Sequence, residues 1–283
     1  MKYENTKYDK ERSLYGIKKS QIENCDFSGK EDGESPLKEC EEINVLNTSF
    51  NLRYPLWHLT FSTIDLCDFK ENARAALWYG KDIVLSNLSV NSVKFMRECE
   101  DICIKMSDFT SEEFGWMSKN IEISDSYIDS LYAFLNSKDI VLKNIRFAGK
   151  YSFQYMENVF IENSTIEGRD AFWHAKNVTV INSIISGEYL AWHSENLRLV
   201  NCHIKGTQPL CYAKNLILEN CTMDGADGAF EYSTINAKII GKIESVFNPT
   251  EGTIEADEIG NVILDSAKKP GIVNIIDHSK ESF

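Results

Sequence analysis

Two groups of side chains recur at fixed spacing and could do chemistry. The first joins Glu34, Lys38, Glu39, Trp57, His58, Trp78, Tyr79, Arg97 and Glu98. A β-elimination on an acidic sugar needs a base near the ring carbon and a cation to stabilise the enolate. His58 or Tyr79 could serve as the base, and Arg97 or Lys38 as the cation. Hydrolysis needs two carboxylates roughly 5 to 9 Å apart. Glu39 and Glu98 lie three repeats apart, too far for that role, whereas Glu34 with Glu39 stays open. The second group is Tyr155, His174, His193 and Tyr212 beside Trp173 and Trp192. Aromatic rings on a rigid surface match the apolar faces of sugars, and His and Tyr supply hydrogen bonds. Two histidines one repeat apart could hold a transition metal, but a third ligand is missing and Cys202, His203, Cys211 and Cys221 lack zinc-like spacing. The expectation is no metal and no cofactor.

These groups exist because the sequence repeats. Lys81, Glu100, Lys119, Lys138, Glu157, Lys176, Glu195 and Lys214 open units of nineteen residues. Each unit begins like KDIVLKN or ENLRLVN, with aliphatic residues at positions three and five, the period-two alternation of a strand. An apolar residue recurs at position ten and Ser or Gly at position twelve, where small residues favour a turn. A third apolar stretch, such as AFW at Ala171 to Trp173, closes the unit. Nineteen residues at about 3.3 Å each give a perimeter near 60 Å, enough for one flattened coil around a single core layer. The fold class is therefore all-β: a single-stranded right-handed parallel β-helix with three short strands per rung.

Looser units run back to Lys18, and the register fades after Tyr232. The expected organisation is one domain, with a cap segment at 1–17, about eleven rungs over 18–232, and degenerate rungs with a second cap over 233–283. Terminal repeats must hide an open core and an unpaired strand edge, so they depart from the pattern.

In-register stacking gives each column a meaning. Asn87, Asn144, Asn163, Asn182, Asn201 and Asn220 share position seven, where side-chain amides about 4.8 Å apart can form a ladder. Alternating Lys and Glu at position one form an exposed charge ladder worth a few tenths of a kcal/mol per pair. All five tryptophans fall at position seventeen, and His58, His174 and His193 at position eighteen. Adjacent positions on a strand face opposite ways, so one of these columns should enter the core unless a corner begins between them. The apolar residues of position sixteen, such as Leu56 and Phe172, argue that seventeen faces out. The preference of tryptophan for burial argues the reverse.

Composition narrows the partners. The 283 residues include no apolar run of the eighteen or so needed to span a bilayer. The N-terminus MKYENTKYDKERSLYG lacks a secretory signal. Eight cysteines without a CxxC pair fit free thiols in a reducing compartment, so a cytoplasmic location is expected. A net charge of −13 opposes nucleic acid and anionic membranes. A carbohydrate ligand is the expected partner, and a protein partner or self-association is the alternative.

The segments GESPLKE (33–39), YPLWH (54–58), ALWYG (76–80), FWHAKNV and LAWHSENL resemble an uncharacterised bacterial family of proteins of this length. That family is similar to pectin-lyase-like right-handed β-helices, and its members are sometimes labelled hydrolases without a demonstrated activity. The resemblance implies the fold for nearly the whole chain and carries over no catalytic residue. The sequence lacks the paired Asp-Asp, GHG and RIK signatures of polygalacturonases and the clustered acidic calcium ligands of pectate lyases. Two readings follow: a carbohydrate-interacting β-helix, an oligosaccharide lyase or glycoside hydrolase if it is an enzyme, or a non-catalytic scaffold that docks another protein.

Overall fold

The computed structural model describes residues 1–29, 33–264 and 272–280. The chain is an all-β parallel β-helix, and its contacts separate it into two units, Met1–Arg146 and Phe147–Phe283. Within the first unit, six-residue strands at Lys18–Glu23, Glu41–Leu46, Thr60–Asp65, Lys81–Ser86, Glu100–Lys105, Lys119–Ser124 and Lys138–Lys143 form one side. All pair in parallel. Lys81 lies over Glu100, Glu100 over Lys119, and Lys119 over Lys138, so the nineteen-residue period is one layer of the coil. Residues 1–17 join the same register, Lys2 pairing with Gln21 and Lys7 with Asp26. Ion pairs follow the position-one column at Lys18–Glu41 and Lys81–Glu100, the latter 3.5 Å apart.

The core follows from the alternation. In Lys81–Ser86 the buried residues are Ile83 and Leu85, at positions three and five. Position ten of the second side contributes Phe27, Phe50 and Phe69, stacked at centroid distances of 5.2 and 4.7 Å. Parallel in-register stacking places like rings over like rings, so one aromatic position becomes a continuous hydrophobic column.

The second unit repeats the plan with Glu157–Glu162, Lys176–Ile181, Glu195–Val200 and Leu216–Asp224. Asn163 and Asn182 donate backbone N–H groups to Ile181 and Val200 at 3.1 and 3.0 Å. The Asn201 amide donates to Asn182 at 3.1 Å. The expected stacking at position seven is therefore present, with amide bonds at the Asn201–Asn182 step and from Asn144 to Asp125 at 3.0 Å, and a backbone reason accompanies it. Position seven is left-handed, with φ of 50° at Asn182 and 51° at Asn201, a conformation that asparagine tolerates better than most residues. A second ladder at position two escaped the sequence reading. Asn177, Asn196 and Asn215, also left-handed, each donate to the residue one rung earlier at 2.7 to 3.0 Å.

Beyond Tyr232 the rungs lose their uniform length, and Glu251 pairs with Ile272, twenty-one residues on. Strands Thr234–Phe247 and Glu251–Ile263 pair seventeen residues apart at Thr234 and sixteen apart at Lys242, with a register shift between.

Candidate functional site

The aromatic columns settle the facing question by a route other than simple alternation. Both point away from the core. Trp57, Trp78, Trp173 and Trp192 are half-buried, and His58 and His193 are exposed, whereas Leu56, Leu77 and Phe172 at position sixteen are fully buried. The expectation that one column enters the core fails, and the exception holds: a corner begins at position eighteen. His58, Tyr79, Tyr155, His174, His193 and Tyr212 all have φ between 55° and 60°. The left-handed residue turns its side chain back to the side its neighbour faces. The buried indole stack is thereby overturned.

Each tryptophan is anchored. The indole N–H groups of Trp57, Trp78, Trp116, Trp173 and Trp192 donate to the carbonyls of Ala75, Lys94, Tyr132, Tyr189 and Gln208, at 2.7 to 3.0 Å. Every acceptor is position fourteen of the following rung. The indoles thus satisfy carbonyls at an irregular part of the coil, and their ring planes lie across the stacking direction.

In the first unit the seventeenth column is a layered stack. The Lys38 ammonium lies 5.3 Å from the Trp57 ring, Trp57 stacks on Trp78 at 5.3 Å, and the Arg97 guanidinium lies 5.0 Å from Trp78 and 5.8 Å from Trp116. Both faces of Trp57 and Trp78 are therefore covered, and their edges meet solvent. Beside them His58 stacks on Tyr79 at 4.8 Å. Arg97 also pairs with Glu98 at 3.3 Å. Glu39 accepts from the Tyr15 hydroxyl, which holds that phenol above its ordinary range. Glu34 stands apart, pairing with Arg53 at 3.7 Å. The fold thus gathers Lys38, Trp57, Trp78 and Arg97 into one stack and Glu39, His58, Tyr79 and Glu98 into the neighbouring column, and it leaves Glu34 outside both.

In the second unit the eighteenth column forms a longer run. Tyr155, His174, His193 and Tyr212 stack at 4.8, 4.8 and 5.0 Å, with interplanar angles of 7°, 8° and 20°. Trp173 and Trp192 stack alongside at 5.5 Å. Burial, and then the adjacent His174, hold His193 below the usual imidazole range. Burial, and then Glu231, hold the Tyr212 phenol above its usual range. The Tyr212 hydroxyl donates to Glu231 at 3.2 Å. The histidine rings lie face to face, so their nitrogens run parallel and do not converge. Among the described residues no three His, Cys, Asp or Glu side chains are grouped to hold a metal ion.

Two further groups in this unit were not legible from spacing. Asp170 is buried at position fourteen, and its carboxyl is pushed up by that burial against the opposing pull of Arg169. Arg169 pairs with Asp170 at 3.4 Å and Glu188 at 3.7 Å while lying over Tyr189. Position fourteen varies from Lys94 and Glu113 to Tyr151 and Tyr189, so its identity gave no signal that Asp170 would be buried. The other group is His203, hydrogen-bonded to Thr222 and 3.2 Å from Asp224. It opens on a groove lined by Gly225, Ile240, Gly241 and Lys242, where the shorter rungs diverge from the column before them.

Comparison with known proteins fits this architecture. The family described as "Protein of unknown function (DUF3737)" matches residues 1–276. The chain belongs to this family. No curated protein matches the DUF3737 chain. Among solved structures it is similar to PfbA, a surface adhesin of Streptococcus pneumoniae, with a TM-score of 0.54 at 11% identity over 85% of this chain and 84% of that one. It is also similar to the A-module of AlgE6, a mannuronan C-5 epimerase of Azotobacter vinelandii, with a TM-score of 0.43 at 10% identity over 98% and 87%. These likenesses are to β-helix proteins, and at such identity they concern the fold alone.

Proposed function

We propose that this DUF3737 protein is a carbohydrate-binding β-helix whose reading face is the column Tyr155, His174, His193 and Tyr212. The observation that carries the reading is the regular stack of four rings at 4.8 to 5.0 Å, of which Tyr155 and His193 are exposed and His174 and Tyr212 half-buried. An extended glycan lying along the stack would meet one donor or acceptor per layer. A pitch near 5 Å is close to the length of one pyranose in an extended chain. Trp173 and Trp192, stacked alongside at 5.5 Å, act as rigid backing in this reading. Preorganised rings lose little freedom on binding, which favours recognition by a shallow surface.

The test is a glycan array followed by calorimetry with the best ligand. At about 1 kcal/mol per hydrogen bond, the double substitution His174→Ala with His193→Ala weakens binding about thirtyfold. Unchanged affinity in a folded variant refutes the assignment. Turnover by His58, Tyr79, Lys38 and Arg97 is a separate proposal. It predicts an unsaturated sugar product that disappears on His58→Ala.

A scaffold reading is favoured by a different observation. Phe61, Leu66 and Met106 in the first unit are 58%, 54% and 55% exposed, large apolar side chains of the kind that enter protein contacts. A stoichiometric protein partner lost on Phe61→Ser, together with an empty glycan array, would favour it over sugar binding.

A further inference from the structure

Cys202 and Cys221 occupy position eight of successive rungs. The strands beside them pair His203 with Thr222, and the Thr222 N–H donates to the Cys202 carbonyl at 3.0 Å, so the two cysteines are in register. Both side chains face the core, at 2% and 0% exposure. Their Sγ atoms reach the carbonyls of Val180 and Leu199, each at 3.4 Å. The neighbouring Cys221 thiol favours the Cys202 thiolate and lowers its pKa, while Cys202 and burial hold the Cys221 thiol above its ordinary range.

One interstrand step is about 4.8 Å, inside the Cα window of about 4.4 to 6.8 Å that a disulfide spans. The same column contains a control. Cys25 and Cys67 share position eight but are separated by the rung of Thr48, and two steps of about 9.6 Å lie outside the window. Closing the bond draws the two Cβ atoms inward from the interstrand spacing toward about 3.8 Å. The register shift between Leu218 and Cys221 provides local slack for that movement.

We propose that Cys202 and Cys221 are a redox modification site, closing to an inter-rung disulfide in the presence of a small alkyl disulfide while the other six cysteines stay reduced. The Cys202 thiolate attacks one sulfur of the reagent, breaking its S–S bond and releasing one thiolate. Cys221 then loses its proton to solvent and attacks the Cys202 sulfur, releasing the second thiolate. Two protein thiols are oxidised and one reagent disulfide is reduced to two thiols. Both sulfurs are buried, so the reaction follows opening of this segment and quickens in mild urea below the unfolding transition.

The experiment treats the full chain with bis(2-hydroxyethyl) disulfide at several sub-denaturing urea concentrations, then alkylates and maps peptides. The expected result is a loss of two thiols from the eight and one cross-linked peptide joining Cys202 and Cys221, reversed by dithiothreitol. Cys221→Ser should instead trap a mixed disulfide at Cys202. Retention of all eight thiols across the urea series overturns the proposal, as does a bridge between Cys25 and Cys67 or a mixture of pairings.

Discussion

Replacing Trp78 tests whether the indole column is a structural backing. Its ring stacks on Trp57 at 5.3 Å, carries Arg97 at 5.0 Å, and donates from Nε1 to the Lys94 carbonyl at 3.0 Å. The hydrogen bond contributes about 1 kcal/mol, the aromatic pair about 0.5 to 1.5, and the cation–π contact about 0.5 to 1 at a half-exposed site. Trp78→Ala should therefore cost about 3 kcal/mol. Trp78→Phe keeps a ring for stacking and gives up the N–H, so it should cost about 1 kcal/mol. Urea unfolding followed by far-ultraviolet circular dichroism measures both, with the slope compared among variants to check that the cooperative transition is preserved. Equal losses in the two variants, or no loss in either, would refute the reasoning. Glycan affinity at the second unit should be unaffected, because no residue of the proposed reading face touches Trp78.

Asn182→Ala should be destabilising by about 2 kcal/mol, combining a lost amide bond with left-handed strain, while Asn182→Gly should cost less because glycine relieves the backbone component; equal losses in an unfolding titration would remove the backbone explanation. Phe50, fully buried between Phe27 and Phe69, should cost about 3 to 5 kcal/mol on truncation to alanine, read as a lowered urea midpoint. Burial, and then His174, hold the folded His193 imidazole below its ordinary pKa of about 6.5. The unfolded chain therefore takes up the proton first, so the contribution of His193 to stability is full above the unfolded value and declines as pH falls through it toward the folded one. The acid-side slope of stability against pH should shrink in His193→Gln, and an unchanged slope would show that the ring is not shifted. Glycan binding should weaken over the same acid window, since protonation removes the ring acceptor.

The architecture was legible because stacking converts a one-dimensional period into columns. Ile83 and Leu85 announce their burial by alternation, and Asn182 its ladder by recurrence. The direction of the Trp and His columns was not legible, since it depends on left-handed φ at His58, His174 and their equivalents. Nothing in a lone His or Tyr specifies that conformation. The roles of the indole N–H groups were hidden for a related reason. Their acceptors are backbone carbonyls of the following rung, and a carbonyl leaves no mark on side-chain identity. Asp170 and the contact of His203 with Thr222 and Asp224 escaped because each occurs once, whereas the reading drew its strength from repetition.

The uneven rung lengths after Tyr232 bear on end-to-end stacking of such a coil. A coil of uniform nineteen-residue layers presents a final strand matched to the first layer of any second copy, and head-to-tail addition without closure gives fibres. Pairing at seventeen and then sixteen residues between Thr234–Phe247 and Glu251–Ile263, and at twenty-one between Glu251 and Ile272 of the strand Ile272–Asp277, departs from that match. A second chain arriving there would meet the wrong perimeter, with its asparagine and aromatic columns offset from those beneath. Uneven rung length thus leaves a terminal layer that does not match the nineteen-residue layers of a second copy, so the periodicity that builds the fold is not carried to its end.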